Sequence, residues 1–369
     1  MSQRRRPLIT ANMVTLARLV PMPLLSWWVY ESSISGLKWA LLLGIILGCT
    51  DFVDGYMARR QGPTVLGGLL DPIADKVFIA FLYFPFADGI AVMPIPAWTV
   101  ALMFTRELLV TALRSAYEQR NLSMKTSYLG KMKTWFQMQG IGILVLFPIV
   151  AHEWGPDAMT WILGFGVVAP LIAMAGLWLV RHKFWPGALV MSGALAALLA
   201  VHRLAPAWTY DFVILVVVAL TWISGFDYLL VGLRQLRGRG DFGRADLVRL
   251  VGAVALPCLI FAVARLTPAP AWPLIALLSL ELAVGGLDNL LSHHKKASGA
   301  LAWGARTLGA SALLAVALLV PSLSTWLCVV ATAISFAGVT WEFWRGRDYY
   351  LDQRIRNEAI RGQGASALP

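Results

Sequence analysis

The chain has 369 residues, of which 58% are hydrophobic and only 14% are charged, and its mean hydropathy is +0.68. A soluble globular protein would carry roughly 25% charged residues, so a large soluble fold is excluded. The formal net charge of +11 fits either a nucleic-acid-binding protein or a membrane protein with basic loops on one side. The hydropathy favours the membrane protein, and no nucleic-acid partner is expected.

Apolar runs of membrane-spanning length recur along nearly the whole chain. They predict an all-α fold, a polytopic transmembrane bundle of about twelve helices that contacts membrane lipids. The predicted segments are 10–30, 37–60, 67–88, 96–117, 127–150, 157–180, 186–202, 207–233, 245–265, 271–293, 300–320 and 323–345. With MSQRRR on the cytoplasmic side, only Lys38, Arg203 and Arg265 of the 31 Lys and Arg face the opposite side. This asymmetry predicts two cytoplasmic termini and a multi-pass protein of the cell (inner) membrane.

Four acidic residues fall around the end of the second segment and the start of the third, in CTDFVDGYMARRQGPTVLGGLLDPIADK. Asp51 and Asp54 are three residues apart, and Asp71 and Asp75 are four apart, so each pair shares a helix face. The short turn at 62–63 should make the pairs face each other. Converging carboxylates repel unless cations lie between them, and ligands that are all oxygen favour Mg²⁺ or Mn²⁺ over zinc.

Small residues and an arginine accompany the acids. Gly55 and Ala58 leave space beside the carboxylates, and Gly67 does the same one turn before Asp71. Arg59 lies on the turn that follows Gly55, where a guanidinium can clamp a phosphate. Carboxylates, a divalent cation, an arginine and small residues together indicate metal-assisted phosphoryl chemistry.

This stretch resembles the signature of the CDP-alcohol phosphatidyltransferase family, which it follows as Asp51-x2-Asp54-Gly55-x2-Ala58-Arg59-x7-Gly67-x3-Asp71-x3-Asp75. The spacer after the arginine is one residue shorter than is usual in the family, within the predicted turn. The resemblance implies that the first three aspartates bind Mg²⁺ or Mn²⁺, with two ions expected and help from the fourth. It implies that Asp75 deprotonates the acceptor hydroxyl. The two glycines and Ala58 would border the cytidine nucleotide of CDP-diacylglycerol, and Arg59 its phosphates.

Cations later in the chain bear on the acceptor. Arg106 and Arg114 are eight residues apart and lie on roughly one helix face, and Lys131 and Lys133 stand where the fifth segment begins. Cations around a cytoplasmic cavity suit an acceptor that carries a phosphate of its own. Alternatively, Arg114, Lys131 and Lys133 are topology charges, and Arg106 pairs with Glu107 or another acid in a purely structural role.

RELLVTALRS followed by GKMKTWFQ is similar to the phosphatidylglycerophosphate synthase branch of that family. ANMVTLARLVPMPLL, with Asn12, Thr15 and Arg18, and SGFDYLLVGLRQLR resemble that branch as well, so the resemblance covers about residues 8–238. It implies transfer of a phosphatidyl group from CDP-diacylglycerol to sn-glycerol 3-phosphate, giving phosphatidylglycerophosphate and CMP. Inositol phosphate or another phosphatidyl lipid remains open as the acceptor. Outside the family, an ion or proton transporter remains open because intramembrane carboxylates often mark ion pathways.

The chain divides into a catalytic domain at 1–240, with an extra hairpin at 157–202 expected to contribute packing, and a second half. A shift of 234 residues lays ANMVTLARLVPMPLL over ADLVRLVGAVALPCL and DGYMARR over DNLLSHH. This predicts a degenerate four-helix partial repeat at 241–346, followed by a cytoplasmic tail at 347–369. Asp54 alone keeps a carboxylate counterpart, Asp288, so the repeat is expected to be non-catalytic.

The repeat raises the question of oligomeric state. The family resemblance implies homodimers that pack through transmembrane helices, so an inactive fused copy is expected to take the partner's place in a monomeric chain. The alternative is an ordinary homodimer. A non-catalytic assembly protein fits the repeat but not the first 238 residues.

Overall fold

The computed structural model describes residues 10–62, 64–89, 93–120, 122, 128–240, 242–293 and 300–351. Helices joined by short connections make up this part of the chain, and no strand occurs in it, so the all-α class is confirmed. The helices are α1 (Ala11–Leu19), α2 (Met22–Tyr30), α3 (Ile34–Gln61), α4 (Val65–Asp88), α5 (Ala97–Glu118), α6 (Tyr128–Trp154), α7 (Pro156–Arg181), α8 (Pro186–Leu204), α9 (Thr209–Gly238), α10 (Arg244–Leu266), α11 (Ala271–His293), α12 (Ala300–Leu319) and α13 (Ser324–Leu351), with 3₁₀ turns at Pro206–Trp208 and Pro321–Leu323.

Local sequence signals set several helix starts. The side chains of Thr10, Ser33 and Thr64 accept a hydrogen bond from the backbone N–H three residues on, which caps α1, α3 and α4. Pro156 and Pro186 open α7 and α8, where a missing N–H leaves no hydrogen bond unmade. Most helix bounds therefore lie within a few residues of the predicted ones.

The first predicted segment, 10–30, is divided in the structure. α1 ends at Leu19 and α2 begins at Met22, with Pro21 in the turn between them. Pro21 and Pro23 have no N–H to donate to the preceding turn of helix, and the chain turns at Val20 and Pro21 instead of continuing as one helix. The prediction of a single helix is wrong at this point. The break leaves α1 as a separate helix that packs against α3 and α4.

Eight helices in the described part of the chain are long and apolar enough to cross a membrane. They are Ile34–Gln61, Phe136–Trp154, Asp157–Arg181, Pro186–Leu204, Pro206–Leu236, Arg244–Leu266, Ala271–Leu291 and Pro321–Asp348. Large apolar side chains on them face outward, among them Trp161, Leu179 and Phe336, which suits contact with lipid. The protein is therefore membrane-embedded. Twelve spans and two cytoplasmic termini remain predictions.

Helices α4 and α5 form the centre of the bundle. α4 buries most of its residues from Val77 to Ala87, and α5 buries side chains along its whole length. Phe84 of α4 and Phe104 of α5 both lie against Phe261 of α10, with ring centroids 5.0 and 6.2 Å away. Because α5 packs against α9 as well as α10 and α11, the two halves of the chain share one hydrophobic core.

The second half contains a buried polar cluster of its own. Glu281 of α11 accepts hydrogen bonds from Arg306 at 3.2 Å, from Thr307 at 3.0 Å and from Ser335 at 2.8 Å. A buried carboxylate is tolerated when it is paired and hydrogen-bonded in this way. These contacts join α11, α12 and α13 into a bundle that meets the first half mainly through α10 and α11.

Candidate active site

The first helix brings a hydroxyl between the two acidic helices. Thr15 and Arg18 are three residues apart, so they share a face of α1, and both are buried. Thr15 Oγ1 lies 3.1 Å from Asp54 Oδ2 and 3.0 Å from Asp71 Oδ1. This one side chain therefore joins a carboxylate of α3 to a carboxylate of α4.

Arg18 joins the other carboxylate of each pair. Its Nη1 lies 2.6 Å from Asp51 Oδ1 and its Nη2 lies 3.3 Å from Asp75 Oδ1. The Arg18 side chain is only 4% exposed, whereas Asp51 is 49% and Asp75 is 35% exposed. The structure thus brings the four predicted carboxylates together, and a buried guanidinium offsets part of their mutual repulsion.

The turn between the acidic helices depends on two glycines. Gly62 ends α3 with a φ of 90°, a conformation that favours glycine. A Cβ on Gly67 would lie 2.8 Å from Asn12 Oδ1 and 2.9 Å from Thr64 Oγ1. A side chain at position 67 would therefore push α1 away from α4. In the structure, the lack of a side chain at Gly67 lets α1 lie close to α4. The predicted contact of Gly67 with the nucleotide remains a proposal.

The other predicted nucleotide residues follow the acids along α3. Gly55 and Ala58 are half-buried and Arg59 is exposed. A Cβ on Gly55 would lie 3.6 Å from Arg59 Nη1, so the guanidinium folds back over the glycine. Arg59 makes no ion pair within the part of the chain that the structure describes, which leaves its charge available to a phosphate.

The four carboxylates fit a hard divalent cation by their chemistry. Oxygen ligands of this kind suit Mg²⁺ or Mn²⁺, and Asp54, Asp71 and Asp75 each lie within electrostatic range of Asp51. Among the residues placed by the structure, no three His, Cys, Asp or Glu side chains form a metal-binding group. Arg18 supplies the positive charge between Asp51 and Asp75. Metal binding at these carboxylates is therefore a proposal that rests on the chemistry of the oxygen donors.

A cavity of about 450 Å³ opens beside Asp75. Residues of α4, α5, α6, α9 and α11 line it. Its basic lining residues are Lys76, Arg106, Arg114 and Lys133, and its acidic ones are Asp75, Glu107 and Glu118. Three of the four predicted acceptor cations thus meet around one space. The fourth, Lys131, has a side chain that lies outside the described residues.

The cations of this cavity differ in how they are paired. Glu107 holds Lys133 by a short contact and Arg106 Nη1 at 3.3 Å, and Arg106 Nη2 donates to Ser224 Oγ at 3.1 Å. The structural pairing of Arg106 with Glu107 that the sequence left open is therefore present. Arg114 has no ion pair with a carboxylate in the described ranges, and its Nε is buried without a hydrogen-bond partner there. Arg114 is the cation best placed to meet an incoming anion.

A second space, a groove of about 570 Å³, reaches Asp75 from the other side. Helices α3, α4 and α6 line it, mostly with apolar or small residues such as Leu41, Ile45, Phe78 and Val145, and Arg18, Asp51 and Asp75 stand among its polar residues. An acyl chain suits such a surface. Asp75 thus borders both a cation-lined cavity and an apolar groove.

Several residues of the site are not predicted by the sequence pattern. Thr15 and Arg18 belong to a segment that resembles the family, and their spacing of three is a signal for one shared helix face. Lys76 directly follows Asp75, and its Nζ donates to Thr111 Oγ1 at 2.9 Å. Glu107 is expected only as a possible partner of Arg106. No sequence signal points to α11 as part of the cavity wall.

Comparison with known proteins agrees with this arrangement. Residues 8–179 match the family model described as CDP-alcohol phosphatidyltransferase. A CDP-diacylglycerol–glycerol-3-phosphate 3-phosphatidyltransferase of Rickettsia typhi is 34% identical over 136 residues, which cover 37% of this chain and 75% of the relative. The protein of the same name from Bacillus subtilis is 33% identical over 175 residues, covering 42% and 88%. That from Cereibacter sphaeroides is 28% identical over 235 residues, covering 61% and 96%.

No solved structure matches the chain. The family match contains both acidic pairs and the cations of the cavity up to Lys133, and it ends within α7. With converging carboxylates and relatives matched over most of their own length, the chain belongs to the CDP-alcohol phosphatidyltransferase family.

Proposed function

We propose that the protein transfers a phosphatidyl group from CDP-diacylglycerol to sn-glycerol 3-phosphate, releasing phosphatidylglycerophosphate and CMP. The observation that carries the proposal is the position of Asp75, which borders a cation-lined cavity and an apolar groove at once. A lipid donor and a water-soluble anionic acceptor need two such spaces that meet at one reacting group.

The acceptor assignment rests on charge and on the relatives. Lys76 and Arg114 carry positive charge into the cavity without an ion pair to a described carboxylate, and a phosphate is the anion that such a group of cations suits. The relatives from three organisms are named for glycerol 3-phosphate as acceptor. An acceptor with a phosphate of its own is therefore favoured over a neutral alcohol.

Proton transfer is assigned to Asp75. As general base it takes the proton of the acceptor's terminal hydroxyl. The hydroxyl oxygen then bonds to the phosphorus that carries the diacylglycerol, and the bond from that phosphorus to the bridging oxygen breaks, so that CMP leaves with the electron pair. Arg114 and Lys76 hold the acceptor phosphate, and Arg59 binds the phosphates of the nucleotide beside Gly55, Ala58 and Gly67.

Asp51, Asp54 and Asp71, with help from Asp75, would hold Mg²⁺ or Mn²⁺, with two ions expected. The bound cations would neutralise charge on the diphosphate and on the departing CMP. The residues proposed for these roles lie toward the turn between α3 and α4, which Arg59 and Arg60 precede. The positive-inside rule therefore favours the cytoplasmic face of the cell (inner) membrane for the site.

Purified protein incubated with CDP-diacylglycerol and a panel of alcohols tests the proposal. We expect CMP release with sn-glycerol 3-phosphate, dependent on Mg²⁺ or Mn²⁺. Inositol phosphate and phosphatidyl lipids belong in the panel as the alternative acceptors, and preference for an alcohol without a phosphate would refute the assignment. Metal-driven ion flux through liposomes without CMP release would favour a transporter instead.

A further inference from the structure

The second half of the chain supplies part of the wall of the acceptor cavity. α11, which lies beyond residue 240, contributes Gly286, Asn289 and Leu290 to its lining. Gly286 and Asn289 are three residues apart and therefore share a face of α11. They border the same space as Asp75 and Arg114 of the catalytic half.

Close packing fixes α11 against the catalytic half at this point. A Cβ on Gly286 would lie 2.9 Å from Ile73 Cγ1 of α4, so the two helices approach through the glycine. Leu287 and Leu291, both buried, pack with Leu69 of α4. Contacts before and after Asn289 thus set its position relative to α4, as the dense packing of a protein interior requires.

Asn289 lines the cavity, and its side chain carries an unsatisfied polar group. Its Oδ1 is buried and has no hydrogen-bond partner among the described residues, which is uncommon for a buried polar atom. Asn289 is also the one carboxamide among the described residues that line the cavity. A carboxamide both donates and accepts hydrogen bonds without bearing charge, so it suits a hydroxyl group better than a phosphate.

We propose that Asn289 positions the acceptor by hydrogen-bonding the hydroxyl that does not react, an inference that rests on the function proposed above. In sn-glycerol 3-phosphate the phosphate meets the cations and the terminal hydroxyl meets Asp75. The secondary hydroxyl is left for Asn289. The second half of the chain, which lacks the set of four carboxylates, thereby contributes a positioning residue to the active site of the first half.

The test combines a change in the protein with a change in the acceptor, in full-length protein. Asn289→Leu removes the carboxamide but keeps the branched shape and the number of heavy atoms, and Asn289→Ala removes it with a loss of volume. The acceptors are sn-glycerol 3-phosphate and 3-hydroxypropyl phosphate, which keeps the phosphate and a terminal hydroxyl but lacks the secondary one. Ser279→Ala is the matched control, because Ser279 Oγ is a buried, unpartnered polar group on the same helix that lines none of the described cavities.

Both Asn289 variants should raise KM for sn-glycerol 3-phosphate about 2- to 12-fold, the range of one hydrogen bond, with little change in KM for CDP-diacylglycerol. Neither variant should change the inhibition constant of 3-hydroxypropyl phosphate, measured by its competition with sn-glycerol 3-phosphate, because that acceptor has no secondary hydroxyl for Asn289 to bind. If both acceptors lose apparent affinity equally, Asn289 has a merely structural role and the inference is overturned. If neither acceptor loses apparent affinity, the inference is overturned as well.

The wild-type assay separates this inference from the proposed function. If the wild-type protein releases no CMP with sn-glycerol 3-phosphate, both the proposed function and the positioning role of Asn289 are refuted. If the wild-type protein is active and the Asn289 variants keep its KM for sn-glycerol 3-phosphate, only the positioning role is refuted. Because Asn289 Oδ1 accepts no hydrogen bond from the described residues, both variants should elute and unfold like the wild type. A rise in KM cannot then be ascribed to misfolding.

Discussion

At the scale of residues, four carboxylates are held close together by a helix that carries none of them. Thr15 bridges the inner pair and Arg18 the outer pair, so α1 determines how far α3 and α4 can separate at the site. Arg18 is buried while Asp51 and Asp75 reach open space. The arrangement leaves the latter two carboxylates accessible to substrates while their charge is partly offset.

Asp75→Asn should lower kcat by about 10²- to 10⁴-fold, the usual contribution of a general base. Binding of the nucleotide should change little, because three carboxylates remain for the metal. Steady-state rates and CDP-diacylglycerol binding are the measurements. Asp88→Asn is the control, since Asp88 ends the same helix roughly 20 Å away and bonds to Tyr30. Full activity in Asp75→Asn would remove the general-base assignment.

Asp54→Asn should behave differently from Asp75→Asn. Asp54 is buried and bonded to Thr15, so its loss should weaken Mn²⁺ and nucleotide binding together. Titration of Mn²⁺ and of CDP-diacylglycerol against both variants makes the comparison. Tight nucleotide binding in Asp54→Asn would contradict its role as a metal ligand.

Arg18→Met should make stability depend more strongly on divalent cations. The variant leaves the four carboxylates without their buried cation, at a cost of about 1–3 kcal/mol in the free energy of unfolding. Tm should fall in EDTA and recover with Mn²⁺ by more than the wild type gains. Arg265→Met is the control, because Arg265 makes a hydrogen bond to the Asp88 carbonyl at the far end of α4. Equal Mn²⁺ shifts in wild type and Arg18→Met would contradict the prediction.

At the scale of elements, the second half repeats a contact of the first. The shift of 234 residues pairs Thr15 with Arg249 and Asp54 with Asp288. Thr15 contacts Asp54 at 3.1 Å, and Arg249 Nη2 contacts Asp288 Oδ2 at 3.2 Å. A hydroxyl–carboxylate contact in one half is thus matched by an ion pair in the other, between the corresponding helices. This supports the proposal that residues 241–346 are a degenerate partial repeat.

The close approach of α11 and α4 gives a prediction for Gly286→Val. Its side chain would overlap Ile73, so α11 should move outward, at a cost of about 1–3 kcal/mol in the free energy of unfolding. Tm in detergent should fall, and KM for the acceptor should rise more than KM for CDP-diacylglycerol because the cavity wall moves. Gly309→Val is the control, since a Cβ there meets nothing within 4 Å. If Gly286→Val and Gly309→Val change Tm and the KM for the acceptor equally, the close approach of α11 to α4 does not determine the shape of the cavity.

At the scale of the whole molecule, the second half covers the face of the catalytic half formed by α4 and α5. The pairing is not that of a two-fold interface, in which corresponding elements exchange contacts. α10 and α11 pack on α4 and α5, whereas α12 and α13 lie mainly against α10 and α11. If the second half takes the place of a partner subunit, as proposed, it does so without two-fold symmetry.

The mass of the detergent-solubilised particle tests this proposal. We expect one chain of 40.4 kDa per particle, because a second copy could reach α4 and α5 only by displacing α10 and α11. A chain ending near Gly240 should dimerise or lose its thermal transition, since it exposes the buried face of α5. A full-length homodimer built through helices of residues 1–238 would show that the second half plays another part.

The sequence by itself determined the class of fold, the helix bounds and the family. Hydrophobic runs and capping residues act locally, so twelve predicted segments reappear as helices, except that Pro21 and Pro23 divide the first. The acidic motif is also local, because spacing within one helix fixes which residues share a face. Asp51, Asp54, Asp71 and Asp75 are therefore recognisable as a group from the amino-acid sequence alone.

Only the tertiary structure decided what lies opposite those residues. Thr15 is 39 residues from Asp54 along the chain, Lys133 is 26 from Glu107, and no local rule pairs them. The packing of α11 on α4 depends on Gly286, whose role is apparent only when the opposing side chain of Ile73 is known. Contacts between helices depend on the shape and burial of whole surfaces, and for that reason the cavity, its groove and Asn289 became visible only in three dimensions.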